Sequence, residues 1–214
     1  MYLYLGGAVV ALALFLVWEH RGASAFLHEW LPTRSQDGVV DTSSGSPLAW
    51  QPVDETAQGF HVDLPGTPTQ TVVQSSNEVG FIEPVNMITV KADANHTFAV
   101  AWADKPPVAR INDLIPDKTL DQARDGALAR TSTTLVSESR SNPQGYPGRD
   151  VVAHNAGGGI LDARFIYAGT RLYMLIATAP SAAGRHEQDV THFFNSFTIA
   201  SNTQIPETLP PATQ

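Results

Sequence analysis

Residues 146–178 read YPGRDVVAHNAGGGILDARFIYAGTRLYMLIAT, and this stretch decides the fold. Apolar residues recur at strand spacing in three runs, at 146–154, 159–168 and 171–178, with turn residues between them. Gly169-Thr170 suits a two-residue hairpin with glycine at its first central position. The pattern therefore predicts three consecutive antiparallel strands.

The register of these strands follows from the charges and the apolar faces. If His154 pairs with Ile160, then Asp150 faces Arg164, which is a favourable cross-strand pair. The third run is apolar on both faces, so we expect a central strand that is covered on both sides. One face would hold Leu161, Ala163, Phe165, Tyr167, Leu172, Met174 and Ile176.

The flanking sequence adds strands and two helices. Alternating runs predict strands at 59–64, 69–74, 87–92 and 97–103, and Trp50 and Trp102 read as core aromatic residues. Helical spacing predicts helices at 117–131 and 184–196, the second with an apolar face of Val190, Phe193, Phe194 and Phe197. This order indicates an α+β domain, an antiparallel β-sheet with segregated packing helices.

The N-terminal segment predicts a membrane anchor. Residues 3–18 carry no charge and would rise about 24 Å as a helix, which approaches the hydrocarbon thickness of a bilayer. We expect contact with lipid through residues 2–18, and Gly7 and Ala11 form a small-residue pair suited to helix packing. The alternative is a removable signal peptide, because Ala23-Ser24-Ala25 fits a cleavage site.

The chain divides into four parts by composition. Residues 1–31 form the predicted transmembrane helix and juxtamembrane segment, and residues 32–48 form a linker rich in Pro, Ser, Thr and Gly. The globular domain is predicted at 49–200, and a polar, proline-containing tail follows at 201–214. A chain of 214 residues has room for one domain of typical size, about 150 residues, and for these additional segments.

Four short motifs resemble a known group of proteins. Residues 121–126 (DQARDG), 145–150 (GYPGRD), 169–174 (GTRLYM) and 193–197 (FFNSF) are similar to bacterial exported proteins of unknown function whose domains resemble the photosystem extrinsic protein PsbP. The resemblance covers roughly residues 58–199. It implies a PsbP-like sandwich and a non-catalytic accessory role in a membrane complex. The chain differs from that group because it has no lipobox cysteine.

The side of the membrane follows from two opposed signals. Arg21 and Arg34 follow the predicted anchor and weakly favour a cytoplasmic domain. Glu19 and Glu29 accompany them, lysine is scarce, and the resemblance implies export. We therefore predict a single-pass protein of the bacterial inner membrane with a periplasmic domain.

Composition and motifs exclude several kinds of chemistry. The formal net charge of −8 disfavours a nucleic-acid partner, and the absence of cysteine excludes a disulfide scaffold, thiolate metal ligands and a cysteine nucleophile. His186-Glu187 lacks a second histidine at 190, and His192 would lie on another helix face, so zinc is not expected. Gly157-Gly158-Gly159 lacks the lysine of a phosphate loop and predicts a hairpin turn.

An acidic row and three histidines were the remaining candidates for chemistry. A row of aspartates recurs every four residues, at Asp113, Asp117, Asp121 and Asp125. Such a row could bind a cation, but the pattern favours a solvated helix face that Lys118 and Arg124 neutralise. An unusual enzyme site would need His61, His96 or His154 beside an aspartate in a pocket. We predict no catalytic residue, no metal and no cofactor.

One local motif has two interpretations. Tyr146, Pro147, Gly148 and Arg149 would set a bend at the start of a strand, or they would form a recognition patch for another protein. The predicted function is a non-catalytic accessory or assembly subunit that binds other subunits of a membrane complex. The alternative is a domain on the membrane surface that binds a small molecule or a lipid.

Overall fold

The computed structural model describes residues 48–76, 82–104, 116–169 and 171–200, and within them it contains two α-helices and two antiparallel sheets. The helices are α1 (Pro116–Thr131) and α2 (Glu187–Ser196). The strands are β1 (Gln51–Glu55), β2 (Phe60–Leu64), β3 (Thr69–Ser76), β4 (Ile82–Lys91), β5 (Thr97–Asp104), β6 (Thr133–Ser141), β7 (Gly148–Asn155), β8 (Ile160–Ala168), β9 (Arg171–Ala179) and β10 (Thr198–Ile199).

The large sheet has seven strands in the order β3-β4-β5-β9-β8-β7-β6. The predicted register is confirmed, because His154 pairs with Ile160 and Asp150 pairs with Arg164. Strand β9 is the middle strand of the seven, as its apolar residues on both faces predicted. The turn after β8 joins Ala168 to Arg171 and places Gly169 at a φ of 69°, which glycine adopts without strain.

The glycine-rich segment between β7 and β8 forms the predicted hairpin turn. Asn155 accepts a hydrogen bond from Gly159 N through Oδ1 at 2.8 Å, and its backbone N–H donates to the Gly159 carbonyl at 2.9 Å. Gly158 has a φ of 85°. The turn thus needs glycine for its backbone geometry and contains no phosphate loop.

One face of the large sheet packs against the small sheet β1-β2-β10 and against α2. The aromatic rings of Phe60, Trp102, Tyr173, Phe193 and Phe197 fill this layer. The centroid of the Phe60 ring lies 5.2–5.9 Å from those of Trp102, Tyr173 and Phe197. Trp102 is buried and donates from Nε1 to Gln58 Oε1 at 3.1 Å. This aromatic layer is the main core of the domain.

The opposite face is covered at its β6-β7-β8 end by α1. Leu120 and Ala123 are buried against Val151, Ala163 and Phe165. The face predicted from the sequence is confirmed here, since this cluster also contains Leu161, Tyr167 and Leu172, with Met174 and Ile176 packed against it. The sheet therefore has a helix on each face.

Three features differ from the expectations. The single predicted sheet is two sheets, because β1, which the sequence pattern did not predict, pairs with β2. Strand β6 was also missed. Helix α2 begins at Glu187, since residues 181–185 form turns in which Gly184 N donates to Ser181 O and Arg185 N donates to Ala182 O.

The predicted membrane anchor, with Gly7 and Ala11, lies outside the described residues, as do most of the linker and the tail. Within the described part of the chain, neither helix has the length and apolar character needed to cross a bilayer.

Candidate binding groove

An open groove of about 230 Å³ lies between α2 and the outer strands β6, β7 and β8. Its walls come from segments far apart in the sequence, one at 137–164 and the other at 185–195. The groove is lined by Ser137, Ser139, Asp150, Val151, Val152, Asp162, Arg164, Arg185, Glu187, Val190, Thr191, Phe194 and Asn195.

The floor of the groove is fixed by the Asp150–Arg164 pair. Arg164 Nε and Nη2 donate to the two carboxylate oxygens of Asp150, each at 2.8 Å. Ser141 Oγ donates to the same carboxylate at 3.0 Å. Arg164 also donates to the Phe194 carbonyl at 3.2 Å and lies 4.9 Å from the centre of the Phe194 ring. This guanidinium thereby joins β7 and β8 to α2.

A second ion pair holds the segment before α2 on the sheet. Asp162 is buried on β8, and Arg185 Nε and Nη2 donate to its oxygens at 2.8 Å and 2.9 Å. The hydrogen bonds and the negative charge of Asp162 raise the pKa of Arg185, so that this guanidinium stays charged. Both pairs have the bidentate geometry that fixes the orientation of an arginine side chain.

The rim of the groove carries polar side chains without protein partners. Within the described part of the chain, the side chains of Ser137, Ser139, Thr191 and Asn195 form no hydrogen bond to another residue. Val152 and Phe194 line the same groove and add apolar surface to it. The groove thus offers free donors and acceptors beside apolar surface, which is the composition of a binding site for a polar partner.

The structure places the motif Tyr146, Pro147, Gly148 and Arg149 at the start of β7. Tyr146 packs against the aromatic core, and Pro147 O accepts from Tyr167 N at 3.0 Å. A Cβ atom at position 148 would lie 2.7 Å from Ser141 Oγ and 2.8 Å from the Phe165 carbonyl oxygen. Each of these contacts serves the fold. A role of the motif in recognition stays a prediction.

Arg149 is buried beneath α1, on the face opposite the groove. Its Nη2 lies 2.6 Å from Asp117 Oδ1 and 3.5 Å from Asp121 Oδ1, and its Nε lies 2.9 Å from Glu138 Oε1. Burial lowers the pKa of Arg149, but the carboxylates more than offset this and the net direction is upward. Arg149 therefore ties α1 to the sheet.

The acidic row on α1 is neutralised by arginines. Arg124 pairs with Asp125 at 2.8 Å, with Asp121 at 3.5 Å and with Glu138, as the sequence predicted in part. Arg140 and Arg149 were not predicted as partners of this row. Asp113 lies outside the described residues. No group of three metal-ligating side chains occurs in the described ranges.

The histidines singled out by the sequence do not converge on one site, and the side chain of His96 is only 15% exposed. His61 lies 3.3 Å from Asp54, and His96 lies 2.8 Å from Asp93 with its ring stacked on His186 at 4.9 Å. His186 and His192 contact different aspartates. His186 Nδ1 lies 3.2 Å from Asp189 Oδ2, and His192 Nε2 lies 3.0 Å from Asp63 Oδ2. His154 Nδ1 lies 3.2 Å from the Asn155 carbonyl. None of these histidines lines the groove.

Sequence reasoning missed the groove itself. Asp150 and Arg164 were predicted as a pair, but Arg185 and the free polar residues were not singled out. The usable signal was the run of serines at 137, 139 and 141, since alternate residues of a strand share one face.

Comparisons with known proteins give structural likeness only. No family model matches the chain, and a search of curated proteins gives no match. The chain is similar to the solution structure of cyanobacterial PsbP (CyanoP) from Synechocystis sp. PCC 6803, with a TM-score of 0.49 and 8% identity over 73% of this chain and 95% of that chain.

A second similar structure is the crystal structure of a protein of unknown function from Pseudomonas aeruginosa. Its TM-score is 0.38 at 13% identity, over 67% of this chain and 100% of that chain. Neither likeness assigns a family or a function, and the α+β fold rests on the strands and helices described above.

Proposed function

We propose that the chain is a non-catalytic, membrane-anchored accessory or assembly subunit of a larger membrane protein complex. The observation that carries the proposal is the groove, whose arginines are engaged with its aspartates while its rim side chains are free to bind. The partner would be the polar surface of another subunit of the complex.

The ion pairs favour binding over catalysis. A general base or a nucleophile needs a side chain that can reach the substrate and change its protonation state. Asp150 and Asp162 instead accept bidentate hydrogen bonds from Arg164 and Arg185. These pairs give the groove a fixed shape, which lowers the entropic cost of binding a partner.

The membrane part of the proposal rests on the sequence. The uncharged segment at 3–18 supports an anchor, and the four motifs shared with PsbP-like exported proteins support a PsbP-like sandwich on the periplasmic side of the inner membrane. An alkaline phosphatase fused after residue 200 should be active. An inactive fusion with an active cytoplasmic reporter at the same position would reverse the orientation, and a mature N-terminus at Phe26 would remove the anchor.

The test of the groove uses two variants of the same helix. Thr191→Trp places a large ring on the rim, whereas Gln188→Trp places it on an exposed part of α2 that does not line the groove. The full chain is extracted gently from native membranes and its co-purifying proteins are identified. We expect a defined subunit to accompany the wild type and Gln188→Trp but to be lost from Thr191→Trp.

Two outcomes would contradict the proposal. The wild-type chain would elute without any other protein, or the same partner would accompany both tryptophan variants.

The second candidate function, binding of a small molecule or a lipid, is favoured only by the volume of the groove. The aromatic rings fill the layer between α2 and the sheet, so a polar ligand fits the groove better than an acyl chain. If the purified chain carried no protein partner but bound a polar small molecule, the ligand-binding function would be favoured.

A further inference from the structure

No strand of the described residues pairs with the outer edge of β6. The strand is last in the seven-stranded sheet and pairs on one side with β7. Every residue from 134 to 140 is exposed, and Leu135 and Val136 are 40% and 58% exposed. An exposed edge of this length presents unpaired backbone groups on which another strand can dock.

A bulge divides this edge into two parts. The register with β7 shifts between Leu135 and Ser137, and pairing is regular from Ser137 to Ser141. Bulges commonly terminate strand pairing, so a docking strand would be confined to the five residues that follow the bulge, 137–141. Those residues read Ser-Glu-Ser-Arg-Ser. Serines lie at equal distances on the two sides of Ser139, and the positions next to it carry opposite charges, Glu138 and Arg140.

We propose that two copies of this chain pair through residues 137–141 as antiparallel strands related by a two-fold axis at Ser139. In that register, Glu138 of each copy faces Arg140 of the other, and Ser137 faces Ser141. A two-fold contact requires such a self-complementary pattern, since the same surface is used twice. Opposite charges at facing positions stabilise antiparallel pairs.

The charge pair of this register has one exposed member. Arg140 has a side chain that is 75% exposed and pairs with Asp117 at 3.0 Å. Glu138 contacts Arg124 and Arg149, and its side chain is 22% exposed. Arg140 of a second copy would therefore join an existing cluster of ion pairs at Glu138, and its exposed guanidinium is the group that would reach across the two-fold axis.

The opposite edge of the sheet provides a matched control. Strand β3 is also an edge strand, and its Val72 is 50% exposed, close to the exposure of Val136. Its sequence at 69–76, TQTVVQSS, has no charged residue and no such symmetry. The proposal therefore predicts association at β6 and none at β3.

The test uses the absence of cysteine from the chain. Facing Cα atoms of antiparallel strands lie about 4.5–5.5 Å apart, within the range that a disulfide can bridge. Ser139→Cys in the full chain, in native membranes under mild oxidation, should give a disulfide-linked dimer as its main product. Val72→Cys should stay monomeric, and Thr134→Cys, which lies before the bulge, should give far less dimer than Ser139→Cys.

A charge variant tests the contact without a covalent bond. Ser139→Lys places two like charges at the two-fold axis and should shift the detergent-solubilised chain from dimer toward monomer in sedimentation velocity, whereas Val72→Lys should not. Any association through residues 1–31 is equal in both variants and cancels in the comparison.

The melting temperature of each variant confirms that it is folded before these measurements are compared. Equal dimer yields from Ser139→Cys and Val72→Cys, or a monomeric wild type at every concentration, would overturn the proposal. Loss of the groove partner from Thr191→Trp would leave the dimer proposal standing, because Thr191 lies on α2 and not on β6. Ser139 lies on β6 and also lines the groove, so its two variants are judged by cross-linking and sedimentation and not by loss of the partner.

Discussion

The two helices lie on opposite faces of one sheet and are held by different forces. Helix α2 packs through Val190 and Phe193, and the Phe193 ring lies 5.3 Å from that of Phe98. Helix α1 buries Leu120 and Ala123, with Ala127 and Leu128 packed beside them. Ion pairs also join this helix to the sheet, from Asp117 to Arg149 and from Arg124 to Glu138. Aromatic packing thus stabilises one helix, and charges contribute much of what stabilises the other.

The difference predicts different sensitivities. Burial of apolar surface depends little on pH and salt, so α2 should respond chiefly to changes of side-chain volume. Ion pairs respond to protonation and, where exposed, to ionic strength. Substitutions under each helix and a change of pH can therefore separate the two modes of attachment.

The largest effect is expected under α2. Phe193→Ala should lower the free energy of unfolding by about 3–5 kcal/mol, because the ring is fully buried and its removal leaves a cavity. Phe197→Ala should act similarly, since that ring stacks on Phe60 at 5.4 Å. Urea unfolding measures both, with the exposed Gln188→Ala as the control. Unchanged stability in both variants would mean that the rings do not form the core.

A smaller effect is expected under α1. Arg149→Met should cost about 2–4 kcal/mol, because it leaves Asp117 and Glu138 close together without their buried cation. Arg140→Met, at a side chain that is 75% exposed, should cost about 0–1 kcal/mol. Equal losses in the two variants would show that burial of the arginine does not matter and would remove the contrast between the helices.

The two hairpins β7-β8 and β8-β9 could be predicted because their information is local. Alternation of residues, glycine turns and the Asp150–Arg164 pair all lie within 33 consecutive residues. Strand β6 was missed for the converse reason. Its residues Thr134 to Arg140 are all exposed, so no apolar alternation marks it as a strand.

The groove could not be predicted because it forms between distant segments. Arg185 reaches Asp162 across 23 residues, and Arg164 reaches the Phe194 carbonyl across 30 residues. Arg149 illustrates the same limit. Its position after a Tyr-Pro-Gly bend indicates either a structural or a recognition role. Only the packing of α1 places Asp117 beside it, and only the pairing of β6 with β7 places Glu138 there.

The smallest expected effect is a loss of α1 at acid pH. The hydrogen bond from Arg149 and the charges of Arg149 and Arg140 lower the pKa of Asp117 from its ordinary value of 3.8. A carboxyl group whose pKa is lower in the folded state stabilises that state above its unfolded pKa. This contribution is lost as the pH falls through the folded value. The stabilisation should therefore be complete above about pH 5 and should decline below about pH 4.

Hydrogen exchange between pH 6 and pH 3, corrected for the intrinsic rates, measures this effect locally. Protection of the amides of Leu120 and Ala123 in α1 should fall more than protection of Val190 and Phe193 in α2. Asp117→Asn should reduce the difference, because the amide keeps the shape of the side chain without its charge. If both helices lose protection in parallel, acid acts on the domain as a whole, and the ion pairs of Arg149 have no special part in holding α1.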